Sequence, residues 1–209
     1  MRPLTTLTAV AAPLLRDNID TDAIIPSREM RSTGKSGLAD GLFAGWRYQS
    51  AQGRQPDPDF VLNQPRFAGA QILLGGGNFG CGSSREHAVW ALAEFGFRAL
   101  LAASFAPIFY RNCIRNGVLP AVLPADVLAQ LAVAVDASPD TQRISIDVAS
   151  GTVSLPDGRR WHFELEPEAK AMLVEGLDEI DLTLKLREAI DTFRRRDRAE
   201  RPWIYLEDL

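Results

Sequence analysis

The run Gly75-Gly-Gly-Asn-Phe-Gly-Cys-Gly-Ser-Ser-Arg-Glu-His-Ala88 gathers the residues of this chain best suited, by type and spacing, to do chemistry. Glycines let a backbone come close to a ligand. Ser83, Ser84 and Arg85 follow them, and residues 88–97 after that are mostly apolar and read as helix. Two hydroxyls and a guanidinium are thus delivered to a helix start. There the unpaired N–H groups and the positive dipole end favour an anion. A carboxylate or a phosphate meets that description, and Arg85 adds a planar fork matched to a carboxylate.

Other uses of the same residues stand beside this one. Ser83-x-x-Glu86 ahead of an apolar run is also a capping box. A cap residue can still face a ligand, so the two uses are compatible. His87 reads equally as a helix-surface or buried hydrogen-bonding residue. Cys81 near a helix N-terminus has the setting of a stabilised thiolate. The other histidine is the distant His162, however, which leaves a Cys–His pair with little support. The glycine spacing departs from both G-x-G-x-x-G and G-x4-G-K-[ST], so it does not point to a nucleotide.

The elements that position this run alternate. Residues 71–74 read as strand, 84–97 as helix, 98–102 as strand, 105–116 as helix, 119–123 as strand and 126–135 as helix. That order predicts βαβ units and a parallel sheet. Upstream, 9–15 reads as a strand, 17–22 as a polar turn and 23–26 as an extended piece ended by Pro26. Residues 27–30 start a short helix. Residues 31–41 combine Gly34, Gly37 and Gly41 with Arg31 and Lys35 and read as a mobile loop. Past Pro139 the pattern changes. Residues 143–148 and 152–155 flank Ala149-Ser-Gly151 as a hairpin, and 161–165 forms a third strand. Helices at 168–175 and 182–196 finish the chain. The reading is one α/β domain over 1–209, with a partly parallel sheet flanked by helices and a helical tail from about residue 166.

Composition narrows the classes. With 209 residues, 46% hydrophobic and 24% charged, the chain suits a single globular domain. A net charge of −4 argues against a broad nucleic-acid surface, and Arg194-Arg-Arg-Asp-Arg198 reads as a solvated helix end. No stretch is long enough to span a membrane, and residues 4–15 are too interrupted for a signal peptide. Cys81 and Cys113 are too few for a disulfide framework, so the expected location is the reducing cytoplasm. They are also too few for a cubane iron–sulfur cluster, which takes three or four thiolates.

Asn78-Phe-Gly-Cys-Gly-Ser-Ser-Arg-Glu-His-Ala88 closely resembles the motif of the swivel domain in the aconitase superfamily, and within it the small-subunit family of 3-isopropylmalate dehydratase. Asp17-Asn-Ile-Asp-Thr-Asp-Ala-Ile-Ile-Pro26, Gly41-Leu-Phe-Ala-Gly-Trp-Arg-Tyr48, Pro58-Asp-Phe-Val-Leu-Asn63 and Ser104-Phe-Ala-Pro-Ile-Phe-Tyr-Arg-Asn112 agree in order and spacing. The resemblance implies a swivelling β/β/α domain as in the aconitase C-terminal domain. It implies a heteromeric hydro-lyase that isomerises 2-isopropylmalate and 3-isopropylmalate in leucine biosynthesis. The 4Fe–4S cluster would sit on a large partner subunit, with none bound by this chain. Ser83 takes the place of the catalytic base, and Asp22 that of an aspartate facing the partner's site. Arg85, Ser84, Gly82 and Lys35 take substrate-binding places. Where many relatives carry an arginine before a Thr-Gly or Ser-Gly step, this chain has Lys35-Ser-Gly37, which keeps charge without the bidentate fork. Paralogues acting on citramalate or dimethylmalate, and an RNA-binding aconitase relative, are the alternatives.

Overall fold

The computed structural model describes residues 1–30, 34–50 and 53–205. The expected single strand at 9–15 is two strands in different sheets. β1 (Thr6–Ala9) and β2 (Ala11–Leu14) are separated by Val10. Next come the short helices α1 (Thr21–Ile24) and α2 (Ala44–Arg47). The alternating core follows in the expected order: β3 (Ile72–Gly75), α3 (Glu86–Phe95), β4 (Ala99–Ala102), α4 (Pro107–Arg115), β5 (Leu119–Val122) and α5 (Ala125–Ala137). The chain continues with β6 (Ile144–Asp147), β7 (Thr152–Ser154), β8 (Arg160–His162), α6 (Pro167–Glu175), α7 (Glu179–Leu184) and α8 (Arg187–Glu200).

β2, β3, β4 and β5 form a parallel sheet in that order, and β1, β6, β7 and β8 form an antiparallel one. Pro13 and Pro120 fall on the two edge strands of the parallel sheet, where a missing N–H costs least. Strand alternation sends Ile72 and Leu74 into a core shared with α5, α6 and the antiparallel sheet. It sends Leu73 into a second core with Phe79, Phe109 and the buried face of α3. The parallel sheet is therefore the middle layer, buried on both faces, as the continuous apolar run of β3 requires.

Two further expectations are corrected. Residues 21–24 are helical, because the Asp20 carboxylate accepts from Ala23 N at 2.7 Å and caps the turn. The expected helix at 182–196 is two, α7 and α8, and α7 starts earlier on an Asp178–Asp181 capping box. Among the residues of α8, Asp197 alone is buried, and its carboxylate is held by Arg201 and Tyr205 from the tail that follows.

Candidate functional site

Three loops meet at the carboxyl ends of β2, β3 and β4. This is where ligands gather in open parallel sheets. Residues 15–20 follow β2, residues 76–85 follow β3, and Ser104 follows β4. Backbone bonds tie them together. Asn18 N donates to Gly77 O at 2.8 Å, Gly80 N to Ile19 O at 2.7 Å and Thr21 N to Cys81 O at 2.9 Å. Asp17 Oδ1 accepts from Gly77 N at 2.5 Å, and Ser104 Oγ accepts from Asn78 N at 2.7 Å. Gly80 has φ +76°, and a β-carbon there would lie 2.1 Å from the ring of Phe109, so only glycine can occupy the position.

This frame presents Gly82, Ser83 and Ser84 outward, all exposed, ahead of α3. Thr21, 1% exposed, turns its hydroxyl to donate to the Ser83 carbonyl at 3.0 Å. The capping-box reading of Ser83 is overturned. The N-cap of α3 is Arg85, with no side-chain cap, and Arg85 N donates to Ser83 O at 2.8 Å. The chain turns one residue pair later than the S-x-x-E pattern assumes. Among the described residues, none hydrogen-bonds to Ser83 Oγ. Glu86, freed from capping, accepts from Asn116 Nδ2 at 2.7 Å and from Trp90 Nε1 at 3.3 Å. His87 packs on Trp90, with ring centroids 4.6 Å apart.

Arg85 and Asp22, read separately in the sequence, form an ion pair with each other. Their side chains are 26% and 57% exposed, and pairs this open contribute only about 0–1 kcal/mol. Lys35 stands apart from that pair. Its ammonium donates to Asn116 Oδ1 at 3.3 Å and lies 5.2 Å from the Trp90 ring. Of the loop at 31–41, residues 31–33 lie outside the described residues. A residue missed in the sequence, Glu94, accepts backbone N–H bonds from Gly37, Leu38 and Ala39 at 2.7, 2.5 and 3.0 Å. These bonds, Gly37 first, hold its carboxyl below the ordinary value. No pattern local to residue 94 marks this role, because the contacts span more than 50 positions.

Among the described residues, no group of three or more His, Cys, Asp and Glu side chains is placed to hold a metal. Cys113 is wholly buried, and burial pushes its thiol well above the ordinary value. Cys81 is half-buried in an extended bridge to Asp20. The two do not fit an iron–sulfur cluster.

A glycine loop that brings two serines and an arginine to a helix start, on a parallel sheet backed by an antiparallel one, defines a swivel domain of the aconitase type. Residues 1–126 match the family described as the aconitase C-terminal domain. A 3-isopropylmalate dehydratase small subunit from Cupriavidus necator is 57% identical, covering 99% of this chain and 100% of its own length. One from Aromatoleum aromaticum is 47% identical over 99% of this chain and 100% of its own. A solved 3-isopropylmalate dehydratase chain from Methanocaldococcus jannaschii superposes with a TM-score of 0.62 at 28% identity, covering 90% of this chain and 99% of that one. The chain belongs to the family of 3-isopropylmalate dehydratase small subunits.

The frame around Ser83 generates a prediction. Thr21→Val keeps the shape and removes the hydroxyl, so unfolding free energy should fall by about 0.5–1.5 kcal/mol. Thr21→Ser should stay close to the parent. Denaturant titration of both variants decides it. Equal stability of parent and Thr21→Val would mean that the Ser83 carbonyl does not depend on this bond.

Proposed function

We propose that this chain is the small subunit of a heteromeric hydro-lyase that interconverts 2-isopropylmalate and 3-isopropylmalate in leucine biosynthesis. The observation that carries the reading is the segment of exposed Gly82, Ser83 and Ser84 with half-buried Arg85 at the carboxyl ends of three parallel strands, where no described residue hydrogen-bonds to Ser83 Oγ. Identity of 57% and 47% to small subunits, over 99% of this chain, supports it. Among the described residues, no helix is long and apolar enough to cross a membrane, and the two free cysteines suit a reducing cytoplasm.

The reaction removes water from a hydroxy diacid and returns it at the neighbouring carbon. Ser83 takes the proton from the carbon next to a carboxylate. A serine does this as its alkoxide, which the N-terminal end of α3 and the nearby Arg85 guanidinium favour. Arg85 binds a substrate carboxylate with its fork, exchanging the exposed Asp22 for the ligand at little cost. Asp22 is then available to a partner group. The Ser84 hydroxyl and the backbone at Gly82 complete the anion-binding edge. A large partner subunit would cover this open surface and hold the 4Fe–4S cluster, which would supply a Lewis acid for the hydroxyl to be removed. The substrate is a small hydroxy diacid, and no observation favours a nucleic acid.

Three outcomes test the reading, each with the chain co-expressed and purified with a large subunit unless stated. Ser83→Ala should lower kcat by about 10²–10⁴. Its unfolding free energy should stay within about 0.5 kcal/mol of the parent, as for a surface change without a cap. Turnover close to the parent would remove Ser83 from the base role. Arg85→Lys should raise KM and lower kcat together, because the bidentate contact is lost. Unchanged kinetics would place the substrate carboxylate elsewhere. The chain purified alone should contain no stoichiometric iron or sulfide and should not turn over isopropylmalate; stoichiometric iron and sulfide in it, or turnover without a partner, would refute the two-subunit assignment.

A further inference from the structure

Glu86, Trp90 and Glu94 lie four residues apart along α3 and so share one face. The segment 35–39 runs along that face. At its far end the Glu94 carboxylate takes the three N–H groups of Gly37, Leu38 and Ala39. Leu38 is seated in the second core at 2% exposure. The carbonyl of Ala39 accepts from Arg47 Nη1 at 2.9 Å, so the same short segment is gripped from a second side. At its near end Lys35 meets Trp90 and Asn116, and Asn116 is bonded to Glu86 in the first turn of α3. Followed from Ala39 back to Lys35, the segment therefore heads toward the helix end that Ser83, Ser84 and Arg85 precede.

We propose that Glu94 is a positioning residue for substrate selection. It fixes the 37–39 backbone to α3 and thereby sets where the Lys35 ammonium stands relative to the Ser83–Arg85 loop. The proposal rests on the dehydratase reading above. Gly37 holds φ +81° with nothing near a would-be β-carbon, so local sterics do not stiffen this turn and the carboxylate supplies the restraint. One charged group bonded to three consecutive N–H groups determines both the place and the register of the segment. A displacement of about 1 Å in a group that orients substrate can cost on the order of 10²-fold in rate.

The experiment uses the assembled two-subunit enzyme with Glu94→Ala and Glu94→Gln. Val89→Ala, a fully buried position on the same helix, serves as a variant that loses stability only. Steady-state kinetics on 3-isopropylmalate and on citramalate are paired with hydrogen exchange at the amides of Gly37, Leu38 and Ala39. Glu94→Ala should speed exchange at those three amides. It should raise KM for isopropylmalate by about 10-fold or more with a smaller change in kcat, shifting the ratio of kcat/KM between the two malates. Glu94→Gln should fall between, since the amide keeps an acceptor oxygen and loses the charge. Val89→Ala should lower the thermal midpoint and leave the ratio in place. An unchanged ratio in Glu94→Ala would overturn the selection role, unchanged exchange would overturn the clamp, and the same shift in Val89→Ala would reduce Glu94 to a stabilising residue. Failure of the unmodified pair to turn over either malate would overturn the dehydratase reading and the selection role with it, while exchange would still decide the clamp on its own.

Discussion

At Gly76 and Gly80 the loop after β3 runs closer to its neighbours than a residue with a β-carbon allows. A β-carbon on Gly76 would lie 2.5 Å from the Arg16 carbonyl, and one on Gly80 would lie 2.1 Å from the Phe109 ring. The two glycines let the loop pass between the segment after β2 and the first turns of α4. Only in that slot can Gly77, Gly80 and Cys81 exchange backbone bonds with Asn18, Ile19 and Thr21. Those bonds fix where the chain emerges toward Ser83. Buried backbone groups must be paired, so the cross-connections are also what makes the close approach affordable.

The fold leaves the segment ahead of α3 uncovered. Gly82, Ser83 and Ser84 are exposed, and a hollow of about 480 Å³ between α4, α6 and α7 has none of them in its lining. A site that excludes water needs a roof over it. The uncommitted Ser83 hydroxyl and the weak Arg85–Asp22 pair match that state. The pair holds its two groups loosely, and both it and the hydroxyl are open to something that binds from outside.

α3 serves two ends of the same task. Its N-terminus receives the Ser83–Arg85 segment, and its exposed stripe holds residues 35–39 through Trp90 and Glu94. One rigid element thus sets the spacing between the proposed reacting group and the segment proposed to read the substrate's variable part. Its opposite face, with Ala88, Val89, Ala91 and Leu92 buried against the parallel sheet, keeps the helix from moving relative to the strands that carry the loops.

The sequence by itself determined the alternation of strands and helices from residue 71 onward, the hairpin after Pro139 and the glycine loop ahead of α3. These follow from apolar periodicity and glycine placement, which act over a few residues. Only the tertiary structure decided that Ser83 is not a cap, because the pattern S-x-x-E does not say where the backbone first turns, and here it turns at Arg85. It also decided that 6–14 divides between two sheets, since each half finds a different distant partner, β6 and β3. The Arg85–Asp22 pair and the Glu94 bonds to residues 37–39 join positions more than 50 apart. Such contacts depend on how β2, β3 and α3 are stacked. No local spacing encodes that distance, so the sequence reads Arg85 and Asp22 separately, without their pairing, and does not single out Glu94.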